Sequence, residues 1–205
     1  NTKVKKSHHF LVVINNIMFK LLASILFYNT MLKFNSNILK IKLFYLKILG
    51  KINKNNFKIN TANQGMKLEK ILIIFPIEEE NFNVAKFCFR NLQSHHDINY
   101  IYLINNIFYS SSHFTGTTYG YIYLNKKNKI IINENFENDN IINKKFDVLI
   151  DLNCKFYFDI AMLINKIESN YKIGFKNDFS DLFYNVQFEP HTLEAGYNKI
   201  NSMLQ

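Results

Sequence analysis

The chain has 205 residues, room for one ordinary domain plus an extension, and its 48% hydrophobic content is enough for a sizeable core, which excludes wholesale disorder. Its formal charge of +9 is held unevenly: residues 1–65 carry eleven Lys and no Asp or Glu, while the other fourteen basic residues share 66–205 with all sixteen acids. The main segment is thus near neutral, and with Arg90 as its only arginine it lacks the basic stripe and bidentate donors of a nucleic-acid reader, so no nucleic-acid partner is expected.

Asn, Ile, Lys, Phe and Tyr are crowded and Trp is absent, a bias of the kind that A/T-rich codons produce without functional demand. Cys88 and Cys154 have neither metal-ligand nor CxxC spacing and sit in apolar surroundings. Two such thiols make no disulfide scaffold and fit a reducing, cytoplasmic compartment.

After Lys3, Lys5 and Lys6 comes an apolar run from Phe10 to Tyr28, interrupted by Asn15, Asn16 and Lys20. A Lys near the centre of a spanning helix costs about 2.5–3.5 kcal/mol. Three readings stay open for this run: an uncleaved anchor or signal segment, a helix packed on something else, and translated sequence upstream of a start at Met18, Met31 or Met66. Residues 31–53 read as a basic, partly amphipathic helix, with Leu39, Ile41, Leu43, Leu46 and Leu49 among Lys40, Lys42, Lys47 and Lys51. Such a helix either docks on an anionic membrane surface or a protein partner, peripherally at the inner membrane, or covers one face of a sheet. Asn53 to Gly65 reads as a linker. The division expected is therefore a basic helical extension over 1–65 and a domain over 66–205.

From Met66 strands alternate with helices. Lys70 to Phe75 is a continuous apolar run suited to a strand buried on both faces, ended by Pro76. Glu78, Glu79 and Glu80 open a helix that carries Phe82, Ala85, Phe89 and Leu92 on one face, with acids at the positive end of its dipole. Ile98 to Ile104 is a second strand. Asn105 to His113 and Thr115 to Gly120 read as a turn-rich connection, Tyr121 to Leu124 as a third strand, and Ile130 to Ile132 as a short one within a polar stretch. Phe146 to Leu152 is a buried strand ending in Asp151-Leu152-Asn153-Cys154-Lys155, followed by a helix from Phe156 to Ile167 and a strand closing on Gly174. Val186 to Phe188 and a helix from Leu193 to Leu204 complete the chain. Alternation of this kind implies βαβ units: a Rossmann-like α/β domain with a mostly parallel sheet.

No glycine-rich turn follows the first strand; Phe75-Pro76-Ile77-Glu78-Glu79-Glu80 stands there, and its carboxylates would repel a pyrophosphate. No nucleotide cofactor is therefore expected. His8-His9 and His95-His96 are adjacent pairs whose side chains point apart, so no metal site is expected either. The candidate cleft consists of Glu78, Glu79, Asp151, Asn153 and Lys155, all placed where buried parallel strands end. A glutamate there can act as a general base, or simply favour the helix dipole. Asp151 and Asn153 can line a pocket, or cap the following helix.

The strand at Ile71 to Pro76, the run Phe146-Asp-Val-Leu-Ile-Asp-Leu152 and Lys172-Ile-Gly-Phe175 resemble the acceptor-side, N-terminal half of family 9 glycosyltransferases, the lipopolysaccharide heptosyltransferase family. The resemblance covers about 68–190. It implies one half of a GT-B fold, a sugar or glycolipid acceptor as partner and, if there is any activity, transfer of a heptose from ADP-heptose. The family's Gly-Asp pair after the first strand, whose Asp looks like the catalytic base, is replaced by Pro76-Ile77-Glu78-Glu79. In the family the donor-binding half would begin near Gln205, and the chain is expected to lack it. The arrangement also resembles a short single-domain family of Bacteroidetes-type proteins, with a basic N-terminal helix and a closing helix like Glu194 to Leu204. Both point to a relative that is non-catalytic by itself.

Overall fold

A computed structural model describes residues 37–52, 68–92, 98–112, 114–124 and 129–204. They divide after Ile52 into two compact units. In the first, residues 37–48 form helix α1, with Leu43 buried, Leu39 and Leu46 half-buried, and Ile38, Ile41, Phe44, Tyr45 and Ile48 exposed. The run Phe10–Tyr28, the linker read over 53–65 and both histidine pairs lie outside the described residues. Among the described residues, no helix is long and apolar enough to cross a membrane.

The second unit is a seven-stranded sheet with flanking helices. Its elements run β1 (Lys70–Ile74), α2 (Glu79–Phe89), β2 (Asn99–Asn105), β3 (Thr117–Leu124), β4 (Lys129–Ile132), α3 (Glu134–Asn138), β5 (Phe146–Asp151), α4 (Phe158–Lys166), β6 (Ser169–Phe175), β7 (Val186–Phe188) and α5 (Leu193–Ser202). The strand order is β4-β3-β2-β1-β5-β6-β7. All pairings are parallel except that of β4, which adds antiparallel to the outside of β3. Beginning at β1, the chain builds outward through β2 and β3, then returns to the other side of β1 with β5. That reversal between β1 and β5 is the topological switch point of a Rossmann-like sheet.

β1 and β5 are central and buried on both faces, which is why they read as unbroken apolar runs. Alternate residues serve two layers. Ile71, Ile73, Phe75, Val148, Ile150 and Ile173 join Phe82, Phe89, Tyr197 and Ile200 in one core beneath α2 and α5. Phe75 is its hub, with ring centroids 5.8 Å from Phe82, 6.0 Å from Phe89 and 4.7 Å from Phe114. Right-handed crossovers leaving the switch point in opposite directions put α4 on the other face, where Ile160, Leu163, Ile164 and Ile167 are buried. Thr192 caps α5 by accepting from the Ala195 amide at 3.2 Å.

Several boundaries differ from the sequence reading: among the described residues the basic helix read over 31–53 ends at Ile48, and α5 ends at Ser202 rather than Leu204. Thr117 to Gly120, read as connection, forms the first half of β3, paired with Ile101 to Ile104; the link from β2 is instead a 3-10 helix over Asn106–Ser111. The polar stretch after β4 contains α3, nucleated by Asn133, which accepts from the Asn135 amide, and by burial of Phe136. Helix α4 starts at Phe158, two residues later than its apolar content suggests.

The α4 face of β6 carries a buried lysine. Lys172 pairs with Leu149 in register and is 6% exposed. Desolvation lowers its ammonium from an ordinary 10.5 to about 8, only partly opposed by Glu168. The unfolded chain therefore binds more protons between those values, so stability rises as pH climbs from about 8 to 10.5 and carries the full penalty below 8. Lys172→Met should stabilise the domain at pH 7 by on the order of 1–3 kcal/mol after allowing for solvent screening, seen as a higher melting temperature. The advantage over wild type should shrink as pH approaches 10. A destabilised variant at pH 7 would contradict this account.

Candidate functional site

The polar groups at the carboxyl ends of β1 and β5 are held by one continuous set of hydrogen bonds. Leu152 continues the ladder, its amide donating to the Ile74 carbonyl at 3.0 Å. Asp151, 3% exposed, then directs its carboxylate along the α4 face. Oδ1 accepts from the Asn153 amide at 2.9 Å and from Asn153 Nδ2 at 2.7 Å, the local turn that Asp side chains favour. Oδ2 accepts from the Tyr184 hydroxyl at 2.6 Å. Burial pushes the Asp151 carboxyl up from its ordinary value, while these donors from Tyr184 and Asn153 pull it back. The Tyr184 hydroxyl is itself raised well above the usual tyrosine value by burial and by the Asp151 charge.

Tyr184 reaches Asp151 because its ring lies over Gly174 on the neighbouring strand. A Cβ at Gly174 would come within 2.7 Å of three ring atoms. The glycine of Lys172-Ile-Gly-Phe175 thus makes room for a tyrosine, rather than for a ligand. Asn153 passes the chain of bonds on: its Oδ1 accepts from the Ile77 amide at 2.9 Å, tying β5 to the segment that leaves β1.

Outside this buried knot lies a half-exposed layer. Glu78 occupies the N-cap position of α2, with φ −81° and ψ 133°, but makes no side-chain cap. Its Oε1 takes a 2.5 Å ion pair from Lys155 Nζ, and Oε2 accepts from Asn81 Nδ2 at 2.7 Å. Asn81 also sits 3.1 Å from Cys154 Sγ. Tyr157 hydrogen-bonds the same carboxylate, and burial followed by the Glu78 charge pushes its hydroxyl up. The hydrogen bond to Glu78 raises the Lys155 ammonium. Burial and then Glu78 raise the Cys154 thiol, so it is protonated at neutral pH and a poor nucleophile.

The β3–β4 hairpin covers the same edge. Tyr119, Tyr121 and Tyr123 share the α4 face of β3; the buried Tyr121 hydroxyl donates to the Phe75 carbonyl at 3.3 Å, and the Tyr123 ring meets Tyr157 edge-on at 5.5 Å. Further along the hairpin, the Ile130 amide donates to Asp159 Oδ2 on α4 at 3.0 Å. A groove of about 380 Å³ lies between β4 and α4, lined by Ile131, Glu137, Met162 and Lys166 among others. It is beside the strand-end cluster and shares none of its candidate residues.

The five residues nominated from sequence are thus placed as follows. Glu78 and Lys155 are paired and partly exposed. Asp151 and Asn153 adjoin them but are buried, with their polar atoms bonded inward, and neither caps α4, whose N-cap is Tyr157. Glu79 is exposed in the first turn of α2, next to Glu80, where the helix dipole favours an acid. Sequence reasoning missed Asn81, Tyr121, Tyr123, Tyr157 and Tyr184; the alternating tyrosines at 119, 121 and 123 were the available sign that one face of β3 is aromatic. Among the described residues, no group of three or more His, Cys, Asp or Glu is arranged to hold a metal. Comparison with family models, with curated proteins and with solved structures finds nothing that matches this chain.

Breaking the buried knot should cost stability. Asp151→Ala strands the Tyr184 hydroxyl and Tyr184→Phe removes a donor from a buried carboxylate, each a loss of about 1–3 kcal/mol. Because the two groups share one bond, the double variant should lose less than the sum, with a coupling of at least ~0.5 kcal/mol in denaturant unfolding. Gly174→Ala should weaken the domain through the same contact by displacing the tyrosine ring. Strict additivity of the first two changes would show that the bond does not hold the domain together.

Proposed function

We propose that this chain is a family 9 glycosyltransferase-like domain that binds a sugar or glycolipid acceptor and does not by itself catalyse transfer. The observation that carries the non-catalytic half is the lacing of the switch point. Open α/β sheets bind ligands in the crevice between the two strands that diverge there. Here that crevice is crossed by Asn153 to Ile77, Lys155 to Glu78 and Asn81 to Cys154. A carboxylate already engaged by Lys155, Asn81 and Tyr157 is held in place as an acceptor, which makes it a weak general base, and the protonated Cys154 is a poor nucleophile.

Support for acceptor binding comes from the groups still facing outward at the same edge. Glu78, Lys155 and the Tyr123–Tyr157 pair combine a carboxylate, an ammonium and aromatic faces. Sugars present vicinal hydroxyls, which such charged groups pair with, beside weakly polarised C–H faces, which rest on aromatic rings. Enzyme-like transfer would need a donor site that this edge does not provide.

Calorimetry with ADP-heptose and with a lipid A-type core oligosaccharide freed of its acyl chains tests the reading. The oligosaccharide should give saturable heat that Tyr157→Ala and Lys155→Ala each reduce by roughly tenfold in affinity, a loss of about 1.4 kcal/mol. ADP-heptose should give none, and a mixture of the two should give no product. Turnover by the purified chain would overturn the non-catalytic assignment, and absence of heat with either compound would overturn acceptor binding.

A further inference from the structure

Helix α1 has two apolar faces, and only one is used. Leu43 is 2% exposed and, with Leu39 and Leu46, accounts for the packed side. At about 100° per residue, Ile38, Ile41, Phe44, Tyr45 and Ile48 fall on a separate arc of roughly 120°. These five are 49%, 69%, 66%, 59% and 66% exposed. Scattered exposed apolar residues need no explanation, but a contiguous arc of large side chains on one helix marks an interaction surface.

The charge around this arc identifies what it meets. Exposed Lys40 and Lys47 border it beside Phe44, and Lys42 borders the opposite side. The whole segment 1–65 contains eleven Lys and not one acid. The rest of the chain offers no matching surplus, because its sixteen acids are met by fourteen basic residues of its own. A second copy of the helix would bring lysines against lysines. A large apolar arc flanked by Lys40 and Lys47, in a segment without a single acid, fits the interface of an anionic bilayer, where apolar side chains enter the acyl boundary and ammonium groups stay at the phosphates.

We infer that α1 lies in the plane of an anionic lipid surface, inserting Ile41, Phe44, Tyr45 and Ile48 and holding phosphates with Lys40 and Lys47. The attachment is independent of any acceptor bound by the other unit, so either proposal can fail alone. Its strength comes from two sources acting together. Apolar insertion alone would not distinguish lipid charge, and lysines alone would be screened by salt.

Vesicle flotation with the full chain tests this. The wild-type protein should float with vesicles of phosphatidylcholine containing one third phosphatidylglycerol, and not with pure phosphatidylcholine. Lys40→Glu with Lys47→Glu should cut partitioning by roughly tenfold or more. Ile41→Gln with Phe44→Gln and Ile48→Gln should cut it similarly while leaving the melting curve unchanged, since all three side chains are solvent-exposed. Equal flotation with neutral and anionic vesicles, or no flotation with either, overturns the inference. So does a solution dimer of the wild type, seen by light scattering, that the Gln variant dissociates, because the arc would then be covered by a second copy.

Discussion

Burial of one carboxylate organises the carboxyl edge of this sheet. An ionised side chain in an apolar setting is tolerated only when its lone pairs are met by well-placed donors. Asp151 satisfies that condition with three donors within 2.9 Å. Each donor constrains another part of the chain. The Tyr184 hydroxyl arrives only because Gly174 leaves space under its ring. The Asn153 amide group is oriented by giving its Nδ2 hydrogen to Asp151, which leaves Oδ1 facing the Ile77 amide. One acid thereby fixes β5 to β6, β6 to the loop before β7, and the exit of β5 to the exit of β1.

That constraint decides what the switch point can do. In a doubly wound sheet the two central strands separate their crossovers, and the gap between the loops is where ligands ordinarily enter. A glycine-rich turn keeps such a gap open by letting backbone approach phosphate. This chain places Pro76 and Glu78 at that turn, and the gap is bridged from side to side by its own polar groups. Strand β3 adds to the closure, because its own Tyr121 and Tyr123 reach over the strand ends. The polar residues that look most chemical in the sequence therefore do architectural work underneath, and only their outer neighbours Glu78, Lys155 and Tyr157 remain partly accessible.

Much of this was legible from residue order, for definite reasons. Strands β1 and β5 are central, and burial on both faces forces apolar runs that no loop would carry. The helices after them show a single apolar face, and the cluster from Asp151 to Lys155 was identified from its place at a strand end. Thr117 to Gly120 was not legible. It forms half of a strand with Thr117 exposed and Thr118 half-buried, so its Thr-rich, Gly-containing sequence carries no apolar pattern and resembles a turn. The roles within the cluster were hidden for a different reason. Whether Asp151 faces a ligand or a neighbour depends on Tyr184, which stands 33 residues away. No local spacing encodes a pairing that the β5–β6 register creates.

The same face of the sheet carries a second buried ionisable group, and the contrast clarifies the first. Lys172 sits on β6 beside Leu149, one strand across and two residues short of Asp151 along the register. No ion pair joins them among the described contacts: the Asp151 carboxylate is bonded by Tyr184 and Asn153, and burial lowers the Lys172 ammonium, partly opposed by Glu168. They are therefore not an ion pair buried for mutual benefit. Asp151 keeps its burial affordable through short, directional bonds that also fix loop geometry, whereas the backbone amide and carbonyl of Lys172 pair with Asn185 and its ammonium loses solvation. Polar burial at the strand ends specifies a structure, while polar burial two residues back mainly subtracts stability. The difference follows from where donors are available, since a loop end supplies free amides and hydroxyls that the middle of a sheet has already spent on its ladder.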